Sequence, residues 1–229
     1  MMTKSNLGMV LLGTLGLVGA CGSSSDPVTT PKECVDPAGP GCKISVEDGS
    51  FVRWAGLTTD ANVGGTSSAV VTYAPGKFCM SGTVDSGPKD AGWGAILIAS
   101  LAINATDTLV APFDAPALGV TQVRFTLEGH PLQGVIPQVV QITSASCTQI
   151  PDCLTSFSLA AAVTDPGTVT AKLTDFTQPD GTHSNTSLDQ TLITSLQFYV
   201  PTSPGKAVPY DFCLQDLTFL GADGKELRR

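Results

Sequence analysis

The chain is poor in charge, in aromatic rings and in histidine. Only 14% of its 229 residues are charged, 6% are aromatic and two are histidines. Its 12 lysines and arginines form no stripe or run, which argues against nucleic acid as a partner, because phosphate binding needs clustered positive charge. No CxxC pair occurs, and His130 and His183 sit in the turn-like stretches EGHPLQG and PDGTHSN, so zinc has no ligand set to draw on. HExxH, a Walker loop and GxSxG are all missing, and with them the common hydrolase and nucleotide sites. No glycine fingerprint follows a strand and no helices alternate with strands, which removes the Rossmann class. Glutamate is scarce (Glu33, Glu47, Glu128, Glu226), and a glycosidase needs two facing carboxyls. Glu128 with Asp175 is the one pair that falls on neighbouring strand ends.

What is present is turn chemistry and period-2 patterning. The chain has 24 glycines and 16 prolines between runs rich in Val, Thr and Phe. Leu196, Phe198 and Val200 alternate with Gln197 and Tyr199, as in a half-buried strand. The run Tyr210–Leu220 alternates too, but its phase slips at Gln215-Asp216, which predicts a β-bulge with Asp216 at an edge or a ligand site. Further strands are expected over 44–54, 69–74, 77–84, 93–103, 120–128, 138–144, 157–163 and 168–176, with loops at 56–68 and 179–187 and a short helical turn at 188–193. About ten strands at short spacing predict an all-β fold, an antiparallel two-sheet sandwich of the jelly-roll kind.

The first twenty residues read as a targeting segment. Lys4 supplies a positive start, Leu7 to Leu17 is apolar, and LVGAC follows. This pattern resembles a bacterial lipoprotein signal in which Cys21 carries the lipid. By resemblance to Gram-negative lipoproteins, Gly22 rather than aspartate after the cysteine implies the outer membrane if the host is Gram-negative. Several acyl chains on one cysteine anchor a protein stably, at about 0.8 kcal/mol per buried CH₂. Without Lys4 the remaining chain holds 11 basic and 20 acidic residues, a net charge of −9, which suits neutral glycans or cations. The expected organisation is a signal peptide over 1–20, a lipidated tether and small disulfide loop over 21–43, the β-domain over 44–221 and a tail over 222–229. Six cysteines remain for disulfides: Cys34, Cys42, Cys79, Cys147, Cys153 and Cys213. Fifteen pairings are open. Proximity favours Cys34 with Cys42 and Cys147 with Cys153, leaving Cys79 for Cys213.

The closing strands SLQFYV and YDFCLQDLTFLG, the segment FCMSGTVDSGPKDAGWGA, the turn Phe113-Asp114-Ala115 and the strand end LTDFTQP together resemble the galactose-binding-like jelly-roll domains of carbohydrate-binding modules. Those domains commonly end in apolar-Asp-Asp-apolar, where this chain has Leu214-Gln215-Asp216-Leu217. The resemblance spans about residues 44–221. It implies a non-catalytic carbohydrate-binding or adhesive domain, and a structural calcium between first and last strands, for which the matching positions are Glu47, Asp48 and Asp216. Alternation places Arg124, Gln141, Lys172, Gln197 and Tyr199 on outward positions. These would form one sugar-binding sheet surface if their strands are neighbours, since Tyr, Arg and Gln supply stacking and hydrogen bonds. Trp54 and Trp93 are further stacking candidates. The alternatives are an envelope or protein-interaction lipoprotein without a sugar site, and a hydrolase.

The anchoring reading has a direct test. Cys21→Ser is expected to move the protein from the membrane to the soluble fraction or leave it unprocessed. An N-terminal peptide of the wild type that carries no acyl mass by mass spectrometry refutes it.

Overall fold

The computed structural model describes the backbone of residues 32–36 and 42–45, together with residues 51–63, 65–74, 76–85, 92–103, 111–129, 134–144, 153–178, 187–203 and 205–228. Its strands are β1 (Lys32–Asp36), β2 (Cys42–Ser45), β3 (Trp54–Thr59), β4 (Ser68–Ala74), β5 (Lys77–Val84), β6 (Gly94–Ser100), β7 (Gln122–Gly129), β8 (Ile136–Ile142), β9 (Leu154–Ser158), β10 (Gly167–Lys172), β11 (Ile193–Pro201), β12 (Val208–Leu220) and β13 (Glu226–Leu227). One sheet has the order β1-β4-β5-β12-β7-β10, with β13 beside β12; the second has the order β2-β3-β6-β11-β8-β9. All pairings are antiparallel. The expected all-β jelly-roll sandwich is therefore the observed architecture. Among the described residues no helix is long and apolar enough to cross a membrane.

Alternation builds the core. Val71, Met80, Phe125, Leu127, Phe212 and Leu214 point inward from the first sheet; Leu57, Leu97, Val139, Phe157, Phe198 and Val200 point inward from the second. Phe125 and Phe198 meet edge-on across the interface, with ring centroids 5.0 Å apart. At one end of the sandwich Phe51 packs edge-on against both Phe113 and Phe219. Such aromatic pairs add about 0.5–1.5 kcal/mol beyond their burial.

Several expected boundaries moved, each for a local reason. The chain from 54 to 59 is a strand rather than the start of a loop, because Ala55 and Leu57 alternate into the core on either side of Gly56. The strand expected at 157–163 lies at Leu154–Ser158, and 159–163 instead cross the edge between the sheets. The strand expected at 168–176 stops at Lys172, where Leu173–Asp175 form a 3₁₀ turn. Residues 190–191 form a plain turn, not helix. Cys34 lies in β1 opposite Val71 and Cys42 in β2 opposite Leu57, on edge strands of different sheets; the segment between β1 and β2, over which their disulfide was expected, lies outside the described residues. The last residues form β13, paired with Phe219 and Leu220, so both chain segments assigned outside the domain join its sheets.

The expected bulge is present. The β12–β7 register shifts between Gln215 and Thr218, and Asp216 adopts a left-handed φ of 50°. Cys79 and Cys213 are joined as expected, directly opposite on the central strands β5 and β12. Cys153 is also disulfide-bonded; its expected partner Cys147 lies outside the described residues.

The Cys79–Cys213 bond sits on the outer face of its sheet, while Phe78, Met80, Phe212 and Leu214 beside it face the core. Its removal therefore leaves core packing intact and acts on the unfolded chain. The 134-residue separation corresponds to roughly 5 kcal/mol in a loop-entropy model. Cys79→Ser with Cys213→Ser should keep the wild-type circular dichroism spectrum and lower the urea midpoint. A double variant that melts with the wild type rejects this account.

Candidate functional site

The site is built from the outward positions of the second sheet. β11 runs between β6 and β8, and its outward residues fall into rows across the strands. Tyr199 lies opposite Ile96 of β6 and Ile136 of β8; Gln197 lies opposite Ile98 and Gln138; Ser195 lies opposite Ser100 and Val140. The rows continue to Thr58, Gly56 and Trp54 on β3, and to Ser158 and Ser156 on β9.

Exposure divides these rows. Trp54, Ser100, Ser195 and Val140 are buried, and Trp54 donates its indole N–H to the carbonyl of Ile103 at 2.7 Å. The other two rows are open: Thr58, Ile96, Tyr199 and Ile136, then Ile98, Gln197 and Gln138, are all half-buried. Gln138 donates from Nε2 to Ser158 Oγ at 3.0 Å, which orients that amide. On β3, β6, β11, β8 and β9 no outward position carries a charge. The outer face of the first sheet differs: it presents Lys77, Arg124, Glu128, Lys172 and Asp211. There Lys77 pairs with Glu128 at 3.0 Å, and the hydrogen bonds from Lys77 and then Gln215 hold the Glu128 carboxyl below the usual range.

Trp93 flanks the open rows. The Tyr199 hydroxyl donates to the Trp93 carbonyl at 2.6 Å, and the two rings are tilted with centroids 6.5 Å apart. The next residue, Gly94, has a φ of 123° and lies so close to the Val200 carbonyl that a Cβ would overlap it. Its N–H donates to Asp60 Oδ2 at 2.7 Å. Asp60 is fully buried and also accepts from the Ser67 N–H at 3.1 Å and the Ser67 hydroxyl at 3.0 Å. A buried carboxylate held by three donors fixes the corner from which Trp93 and Tyr199 project. Burial first, and the Asp60 charge second, raise the Tyr199 and Tyr210 phenols above their ordinary value.

The five outward residues expected to form one surface are divided. Arg124 and Lys172 lie on the first sheet and Gln197 and Tyr199 on the second, so the body of the sandwich separates them. Strand order decides this, and it was not in the sequence pattern. Gln141 is not outward: it is buried, and its Oε1 accepts from the Asp189 N–H at 2.6 Å. The carboxyl pair Glu128 and Asp175 also fails as a pair. Asp175 caps the N–H of Lys172, which lies opposite Gln122 at one end of β7, while Glu128 lies at the other, about 20 Å away at the rise of a strand. That exceeds the carboxyl spacing of glycoside hydrolysis. Asp216 lines a cleft of 270 Å³ with Thr218, Glu226 and Arg228, whose floor residues Phe51 and Phe219 are already packed on each other. Glu47 and Asp48, expected beside it, lie outside the described residues, as do Cys21, His130 and His183. Among the described residues no group of three potential metal ligands converges.

Sequence reasoning missed Asp60, Gln138 and the isoleucines. The signal for Asp60 was a lone acid before the pair Gly64-Gly65 in an uncharged stretch. Gly65 must be glycine because a Cβ there would overlap the Asp60 carboxyl.

No family model matches the chain, and no curated protein matches it. Similar solved structures include the family 11 carbohydrate-binding module from Clostridium thermocellum in complex with a β-1,3-1,4-mixed-linked tetrasaccharide. It is 16% identical, with 83% of this chain and 96% of that one covered, at a TM-score of 0.39. The family 30 carbohydrate-binding module of a cellulosomal cellulase of the same organism is 14% identical over 85% and 94%, at 0.40. The xyloglucanase domain of a type three effector from Sinorhizobium fredii, in complex with cellobiose, is 10% identical over 82% and 97%, at 0.38.

Two outcomes test the corner. Asp60→Ala strands three buried donors, at about 1–3 kcal/mol each when unsatisfied. A loss of at least about 3 kcal/mol by urea denaturation is expected, with Asp60→Asn losing less. Both variants unfolding like wild type rejects the role of Asp60. The phenols set a pH limit as well. Because the folded state holds both protons more tightly than the unfolded chain, stability should be flat below the ordinary phenol value of 10.0 and fall above it. Replacing both by phenylalanine should remove the part of that decline due to them.

Proposed function

We infer that the protein is a glycan-binding module, non-catalytic, displayed at a bacterial surface by a lipid on Cys21. The observation that carries this reading is the contrast between its two outer faces. One sheet face is charged; the other holds half-exposed isoleucines, paired glutamines and a tyrosine, with no charge at the outward positions of β3, β6, β11, β8 and β9, and Lys43 of edge strand β2 in register with Gly56 at its margin. Such a surface suits a neutral saccharide. Isoleucine and tyrosine take the C–H faces of the rings, and Gln197 and Gln138 exchange hydrogen bonds with hydroxyls. A charged substrate or a phosphate finds no countercharge on the five strands β3, β6, β11, β8 and β9. The lipid reading rests on LVGAC, and the absence of a facing carboxyl pair at Glu128 and Asp175 weakens the hydrolase alternative.

Each hydrogen bond gained from a hydroxyl that must leave water contributes about 0.5–1.5 kcal/mol, so single-site affinity should be weak. A glycan array probed with residues 33–229 should return neutral oligosaccharides. Gln197→Ala and Gln138→Ala, which remove outward amides without touching the core, should each reduce retention in affinity electrophoresis several-fold. Arg124→Ala and Lys172→Ala, on the far face, should change nothing. Tyr199→Ala should abolish retention, with circular dichroism separating lost binding from lost folding. Wild-type protein that no glycan retains overturns the sugar reading and leaves the face to a protein partner.

A further inference from the structure

The outer edge of β10 has the chemistry of a self-pairing strand. β10 is the last strand of the first sheet, and among the described residues no strand pairs on its outer side. In an antiparallel ladder, alternate residues turn both backbone groups toward the same neighbour. The Lys172 N–H donates to Asp175 rather than to β7, and the Leu173 N–H donates to the Thr121 carbonyl. Thr168, Thr170 and Lys172 therefore turn their backbone groups away from β7, and Gly167, Val169 and Ala171 turn theirs toward it.

The edge carries none of the usual protections along its centre. β10 reads GTVTAK, without proline, bulge or inward charge, and Thr168 and Thr170 are exposed. The preceding crossover, with Ala160, Ala161 and Ala162, is exposed as well and places no long charged side chain at this edge. Both ends of the open stretch are closed. On the N-terminal side Pro166 has no N–H, and on the C-terminal side the Lys172 N–H is already bonded.

We propose that a second copy of this chain pairs with β10 antiparallel, on a two-fold axis through Val169. In that register Thr168 opposes Thr170 of the second copy and the reverse, so the open groups of both strands bond each other. Pro166 opposes Lys172, the two positions that offer no N–H. Lys172 comes beside the region of Asp165 in the second copy, opposite in charge. Shifting the register by one residue would set the open groups of one strand against the ladder-bonded residues of the other, which excludes odd shifts, and the opposition of Pro166 to Lys172 and of Asp165 to the Lys172 region selects the axis at Val169. The contact extends the first sheet through both copies and leaves the central strands of the second sheet free in each. Self-complementarity about an axis is what a two-fold interface requires.

The test uses the domain with its disulfides intact. Light scattering should show the mass rise toward twice that of the monomer with concentration. Thr170→Pro removes an N–H that β7 does not use, so it should keep the circular dichroism spectrum and stay monomeric. Independently, Val169→Cys should give a covalent dimer on mild oxidation, because the axis sets each Val169 against its mate, whereas Thr168→Cys should not. A wild type that is monomeric at every soluble concentration overturns the proposal. So does a dimer that survives Thr170→Pro, or one in which Val169→Cys fails to link.

Discussion

A single buried carboxylate governs one end of this sandwich. Asp60 follows the last residue of β3 in the second sheet, and it binds Ser67 just before β4 in the first sheet and Gly94 at the start of β6 in the second. A charge out of contact with water is tolerated only when its oxygens are saturated with donors. That demand dictates the surrounding geometry: a glycine at 65 to leave room, a glycine at 94 to bring its N–H close, and a 3₁₀ turn over Asp60–Val63 to start the return. The packed core would hold the sheets face to face without Asp60. The acid decides how they are joined at this end, and through Gly94 it decides where Trp93 stands.

That corner links folding to the proposed binding face. Tyr199 reaches the open face of the second sheet with its hydroxyl bound to Trp93, so its ring is held rather than free to turn. A ring fixed before binding loses little rotational freedom when it meets a ligand. The other sheet carries most of the outward charge, where Lys77 pairs with Glu128 and Arg124 with Glu226 at the surface. On the proposed glycan-binding reading the two faces of one sandwich divide solubility from binding, and a pairing through β10 would double the second sheet's open face without covering it.

Much of the fold was legible in the sequence because period-2 alternation and turn residues are local signals. Tyr210–Leu220, Lys77–Val84 and Val120–Glu128 showed their inward faces directly, and the slipped phase at Gln215-Asp216 foretold the bulge. What could not be read was which strands are neighbours. Arg124 and Tyr199 have the same local pattern, and only the sheet order separates them. Glycine hid β3, because Gly56 removes the side chain that would have completed its alternation. Gln141 looked outward, but it shares the phase of Val139, which faces the core, and lies opposite the core residue Ile193. Asp60 looked like a loop acid because nothing in a sequence marks a carboxylate as buried until its donors, far along the chain, are known.

The order of the strands has a consequence for how the chain is made. The central strands of the two sheets include β12 and β11, which follow in the chain every strand they must join except β13. Until they arrive, β1, β4 and β5 have no route to β7 and β10, and β2, β3 and β6 have none to β8 and β9. Each sheet waits as two halves with open edges. The sandwich therefore cannot fold progressively from β1 onward; it closes when Ile193–Leu220 become available. Until then neither sheet can join its two halves, and a truncation that removes only the closing strands should leave no smaller stable domain behind.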